Sequence, residues 1–77
     1  MKKRTDLREI LFREVLDRDN GSEVRLYKRN KRFLLERIHN KSAMSVDYFD
    51  DPEIAYYYYE YLVKNKTTKF PYEYERN

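Results

Sequence analysis

The single glycine of this chain follows an asparagine, in Asp19-Asn20-Gly21-Ser22, and no other position restricts the backbone as sharply. Asn-Gly tolerates the consecutive positive φ angles of a type I′ turn, the tight link between twisted antiparallel strands. A hairpin is therefore expected here. With Asn20 and Gly21 at its centre, Arg18 faces Glu23 and Val15 faces Leu26. An opposite-charge pair and an apolar pair both favour strand pairing.

A second hairpin follows from Val24-Arg25-Leu26-Tyr27, the basic stretch Lys28-Arg29-Asn30-Lys31-Arg32, and Phe33-Leu34-Leu35-Glu36-Arg37-Ile38. The flanks are rich in branched and aromatic residues, with one turn former between them. Turning at Asn30-Lys31 sets Leu26 opposite Leu35, Arg25 opposite Glu36 and Tyr27 opposite Leu34. One face then collects Val24, Leu26, Phe33 and Leu35 as the core side. After the polar break His39-Asn40-Lys41-Ser42, the alternation in residues 43–49 predicts a further strand.

Residues 5–19 admit two readings. Thr5 as a cap, Glu9 four before Arg13, Glu14 four before Arg18 and Gly21 as a stop describe a helix with Leu7, Ile10, Leu11 and Val15 as its face. A strand from about Glu9 explains the turn and the register with the same residues, and is preferred. The alternative architecture is a helix, three strands and a helix.

Asp50-Asp51-Pro52-Glu53 starts a helix: an Asp caps it, Pro needs no N–H donor in the first turn, and an acid there complements the dipole. The helix should run to about Asn65, with Ile54, Ala55, Tyr58 and Leu62 on one side and Tyr61 on the border. The expected fold class is α+β: a small antiparallel β-meander of three to four strands packed against one C-terminal helix. Residues 1–8 are expected to be a flexible basic N-terminus and 9–65 the single domain. Residues 66–77 read as an extended tail that docks Phe70, Tyr72 or Tyr74.

Seventy-seven residues bury only about 60% of their unfolded surface, so the core is thin and a deep enzyme pocket is hard to build. With no cysteine, thiol catalysis, disulfides and the usual structural zinc sites are excluded. The only histidine, His39, ends a strand and reads as a solvated or hydrogen-bonded loop residue; Ser22, Ser42 and Ser45 have turn or strand contexts, so no catalytic triad assembles. Asp47, Asp50, Asp51 and Glu53 lack the spacing of a calcium loop and are explained by helix capping. The expectation is a protein that is not an enzyme, with no cofactor, no metal and no small-molecule substrate. Charges interrupt the first nine residues and no apolar run approaches membrane-spanning length, which predicts a cytoplasmic protein with no membrane contact.

The run Tyr56-Tyr57-Tyr58-Tyr59-Glu60-Tyr61 is the most distinctive feature. Four consecutive rings span roughly 300° of a helix, so they cannot all face one sheet. Tyr58 is expected inward, while Tyr56, Tyr57 and Val63 form an outward patch of a kind enriched at protein interfaces. The leading reading is a small binding module (adaptor, regulator or inhibitor) working through protein–protein contacts, with either a different protein or a second copy as partner.

The alternative is an accessory nucleic-acid-binding protein contacting phosphates through Lys28, Arg29, Lys31 and Arg32 at the hairpin tip. Seventeen basic against 14 acidic residues, a net charge of +3, permit that contact without demanding it. Charged tips also simply keep sheets from pairing edge to edge. Tyr27 is the one aromatic expected on the open sheet face, too few for a base-stacking platform.

Overall fold

In the computed structural model, which describes residues 8–74, period-2 patterning gives four antiparallel strands. They are β1 (Arg8–Asp17), β2 (Ser22–Arg29), β3 (Arg32–Asn40) and β4 (Ala43–Phe49), side by side in chain order. Helix α1 (Pro52–Asn65) packs on one face of the sheet, and a short helix α2 (Pro71–Tyr74) follows. The chain is thus a small α+β domain: a four-stranded meander under one long C-terminal helix. Of the expected flexible stretch 1–8, residues 1–7 lie outside the described residues, and Arg8 already opens β1. Residues 8–17 are strand, which removes the helical reading of that segment.

The β2–β3 register is the expected one, with Leu26, Arg25 and Tyr27 opposite Leu35, Glu36 and Leu34. Asn30 takes a left-handed φ of 57° at the turn, a conformation that its short polar side chain tolerates. The first turn differs. Asp17 Oδ1 accepts from the Asp19 N–H, Asn20 Oδ1 accepts from the Ser22 N–H, and the Gly21 N–H donates to the Asp17 carbonyl at 3.0 Å. Two side chains thus mimic backbone turns. Within this turn only Gly21 has positive φ, at 81°, so the two-residue type I′ geometry does not form. The pairs become Val15 with Glu23 and Phe12 with Leu26, in place of Arg18 with Glu23 and Val15 with Leu26. Glu23 finds its cation in Arg13 instead.

Helix α1 begins as its sequence dictates: Asp51 Oδ1 accepts from the Glu53 N–H at 2.9 Å and Pro52 opens the first turn. It ends at Lys66, whose φ of 50° lets its N–H and that of Thr67 reach the last carbonyls. The buried stripe is Ala55, Tyr59 and Leu62. The expected stripe is therefore rotated: Ile54 is 47% exposed, and Tyr58 is only half-buried, stacked on Phe49 and set 4.9 Å from the Phe70 ring. Phe70, arriving from beyond the helix, packs on Tyr58 and completes the core. The segment expected as extended is partly helical, since Pro71 supplies a preset first helical residue for α2.

The core is Val24, Leu26, Leu35, Ala55, Tyr59, Leu62 and Phe70. Burying a Val, Leu or Phe side chain contributes about 1.5–3 kcal/mol, so each is a large share of the stability of so small a domain. Across the far side of the sheet runs an ion cluster. Arg25 donates to Glu23 at 2.8 Å and to Glu36 at 3.2 Å, and Arg13 donates to Glu23. Burial alone would raise the Glu23 carboxyl, but hydrogen bonds from Arg25 and Arg13 outweigh it and hold the group below the usual carboxylate range.

Candidate protein-binding groove

A helix is about 10 Å wide and strands lie ~4.8 Å apart, so one helix covers about two strands of a sheet. α1 packs over β2, β3 and β4, leaving β1 poorly covered on the helix side. There β1 has a register irregularity between Ile10 and Phe12, and the extra residue is Leu11. Leu11 and Phe12 both line the helix-side hollow while remaining exposed.

Two adjoining hollows form the groove between β1 and α1. The first, about 300 Å³, is walled by Leu11, Phe12, Phe33, Pro52 and Tyr56, with Glu53 at its rim. The second, about 370 Å³, is bounded by Tyr56, Tyr59, Val63, Glu14 and Glu60, with Lys64 at one end. Tyr56 belongs to both. Its ring lies 5.3 Å from Phe12 and stacks at 6.4 Å on Tyr59, while Phe12 sits 5.6 Å from Tyr59. Tyr59 is only 7% exposed. Burial pushes its phenol above the ordinary value, with the nearby Glu14 carboxylate and Tyr56 adding to the rise. The floor of the groove is thus neutral and apolar, and its rim is predominantly acidic.

Of the three residues expected to form a protein-binding patch, the structure brings Tyr56 and Val63 together, since seven residues advance a helix to within about 20° of the same direction. Tyr57 lies on another flank, exposed, edge-on to Tyr58 at 5.3 Å and beside Glu60, Tyr61 and Lys64. Sequence reasoning missed Leu11 and Phe12. Their signal was the unbroken run Ile10-Leu11-Phe12, which violates strict alternation and so marks a bulge.

Lys28, Arg29, Lys31 and Arg32 are all exposed at the β2–β3 tip, where Arg29 and Arg32 are cross-strand partners. Arg32 also reaches Asp50 at 3.2 Å and lies 5.6 Å over the Tyr48 ring. Tyr27 is 7% exposed and offers no ring face for a base to stack upon; Tyr48, 55% exposed, is the accessible ring on that side.

His39 bonds Thr68 Oγ1 at 2.8 Å through Nδ1 and Ser45 Oγ at 2.9 Å through Nε2. The contacts tie β3, β4 and the segment after α1 together. Among the described residues no group of three His, Cys, Asp or Glu side chains is placed to hold a metal ion, and no helix is long and apolar enough to cross a membrane. No protein-family model, curated protein or solved structure matches the chain.

Proposed function

We propose that this protein is a binding module without catalytic turnover, an adaptor, regulator or inhibitor, which holds an apolar segment of a partner protein in the groove between β1 and α1. One observation carries the reading: the helical layer leaves Leu11, Phe12 and Tyr56 exposed around a continuous apolar trough. Aromatic side chains around a pocket are the usual anchors of protein interfaces. The strip left beside α1 runs along β1, the edge strand of the sheet, and Glu14, Glu53 and Glu60 edge it. The occupant that fits is an amphipathic helix whose apolar stripe is flanked by Lys or Arg.

Fluorescence anisotropy with a leucine-striped helical peptide tests this, in one version flanked by Lys and in another by Glu. The Lys-flanked peptide is expected to bind more tightly. Phe12→Ser and Tyr56→Ser should each weaken it by about tenfold, the loss of ~1.4 kcal/mol of contact, without altering the circular dichroism spectrum. Tyr57→Ser, on the other flank, should leave binding unchanged. Equal loss from all three variants, or no preference for the basic flank, sinks the proposal.

A second reading rests on the four exposed cations of the β2–β3 tip. Its expected result is binding to generic duplex DNA whose log affinity falls with log salt at a slope of up to about −3.6, one step of ~0.9 for each phosphate contact. Neutralising Lys28, Arg29, Lys31 and Arg32 together should abolish it. An absence of binding at low salt removes this reading.

A further inference from the structure

We propose that β4 pairs edge to edge with β4 of a second copy of this chain, joining the two sheets into one. The strand order leaves β1 and β4 as edges, and an edge strand presents a row of backbone N–H and C=O groups to any strand that fits it. Bulges, Lys and Pro ordinarily blunt such edges. β1 is blunted: its register shifts between Ile10 and Phe12, and Arg8, Glu9, Arg13 and Glu14 load it with charge. β4 is not. Its residues, Ala43–Phe49, include no Lys, Arg or Pro, and the irregularity of the β3–β4 pair falls on β3, at His39. The one charge on β4, Asp47, is already held by Arg37 of β3 at 3.1 Å. Among the described residues no strand lies beyond β4, and no turn or loop backbone group bonds to it.

The sequence of β4 selects the register. A two-fold axis perpendicular to the sheet makes the strands antiparallel, keeps both α1 helices on one side and sets residues of the same face opposite one another. Centred on Val46, it places Val46 opposite Val46, Met44 opposite Tyr48, Ser45 opposite Asp47 and Ala43 opposite Phe49 of the second copy, so the whole strand pairs. Met44, Val46 and Tyr48, each exposed in the single chain, then form apolar cross-strand pairs, while the Ser45 hydroxyl faces a carboxylate. Beyond the strand the turn carrying Lys41 comes beside Asp50 and Asp51, so opposite charges meet at both ends. Slipping two residues one way sets Asp47 against Asp47, a like-charge pair. Slipping the other way leaves Tyr48 and Phe49 opposite turn residues.

The alternating antiparallel ladder supplies about six to eight backbone hydrogen bonds over this length. One strand pair covers less than the roughly 800 Å² per partner of a standard interface, so the dimer is weak and forms in the micromolar to near-millimolar range. β4 is the edge opposite β1, which leaves the groove beside β1 open in both copies.

Sedimentation velocity on the full chain, from micromolar to near-millimolar concentration, is expected to show a monomer–dimer equilibrium. Val46→Lys brings two ammonium groups together at the axis, with Glu36 still its cross-strand neighbour on β3, and should weaken the dimer by about tenfold or more. Single cysteines, in a chain that has none, read the register. Val46→Cys places its two thiols on residues within the Cα separation of about 4.4–6.8 Å that a disulfide needs. The two copies of Met44→Cys, or of Tyr48→Cys, stand about 14 Å apart along the strands. In a glutathione redox buffer Val46→Cys should therefore cross-link at least about tenfold faster than either, and than Tyr57→Cys on the flank of α1. An equimolar mixture of Met44→Cys and Tyr48→Cys should cross-link where each alone does not. A wild-type chain that stays monomeric at the highest concentration, an undiminished Val46→Lys dimer, Val46→Cys cross-linking no faster than Met44→Cys, or a mixture no faster than its components overturns the proposal.

Discussion

Phe70→Ala is expected to lose about 3–5 kcal/mol of stability, the cost of deleting a buried Phe side chain and leaving a cavity behind. Phe70 is 1% exposed and belongs to neither the sheet nor α1, yet it closes the core. Its ring lies 4.9 Å from Tyr58 and 5.5 Å from Tyr72, and the Arg37 guanidinium sits 3.9 Å above it. At about 0.05–0.15 kcal/mol per residue, a domain of this length holds about 4–12 kcal/mol in all. Removing one ring therefore takes between a quarter and the whole of the stability. Urea denaturation followed by circular dichroism measures it, and Phe70→Leu, which keeps most of the volume, should lose far less. A Phe70→Ala protein within about 1 kcal/mol of wild type would show that the segment after α1 is not part of the folding unit.

The importance of Phe70 also explains where the sequence was legible and where it was not. The β2–β3 hairpin was readable because local turn chemistry at Asn30 and the period-2 pattern on both strands point to one register. The start of α1 was readable because Asp51, Pro52 and Glu53 each act within one turn. At Asp19-Asn20-Gly21-Ser22 two local solutions compete, and the Asx hydrogen bonds of Asp17 and Asn20 prevail over the type I′ pair. The buried stripe of α1 depends on a residue that returns from beyond the helix, which no helical period encodes. For the groove, periodicity placed Tyr56 and Val63 together, but β1's contribution rests on a bulge, which advances Phe12 by one position relative to its partner strand. The rows on the sheet face away from α1 were legible once the β2–β3 register was fixed; their β1 members needed the shifted register as well.

Arg37→Ala is expected to cost about 2–3 kcal/mol, at or below the low end of the range for breaking a buried ion pair, because Arg37 is buried while Asp47 is one-third exposed. Arg37 is among the few charged residues buried in the described chain. Its Nε donates to Asp47 Oδ2 at 3.1 Å, its Nη1 donates to the Thr68 carbonyl at 3.0 Å, and its guanidinium plane lies over the Phe70 ring. One side chain thus joins β3, β4 and the segment that delivers Phe70. Removing it leaves the Asp47 carboxylate and the Thr68 carbonyl without this donor and exposes one face of the Phe70 ring. Arg37→Lys should recover less than half of the loss, because a single ammonium lacks the rigid fork that reaches two acceptors while lying flat on an aromatic face. Since Arg37 and Phe70 are in contact, Arg37→Ala and Phe70→Ala should not be additive: the double variant should fall short of the sum by about 0.5–3 kcal/mol. Urea denaturation of the four proteins in the cycle decides it. Additivity would mean that Arg37 stabilises the sheet alone and that Phe70 reaches the core without its help.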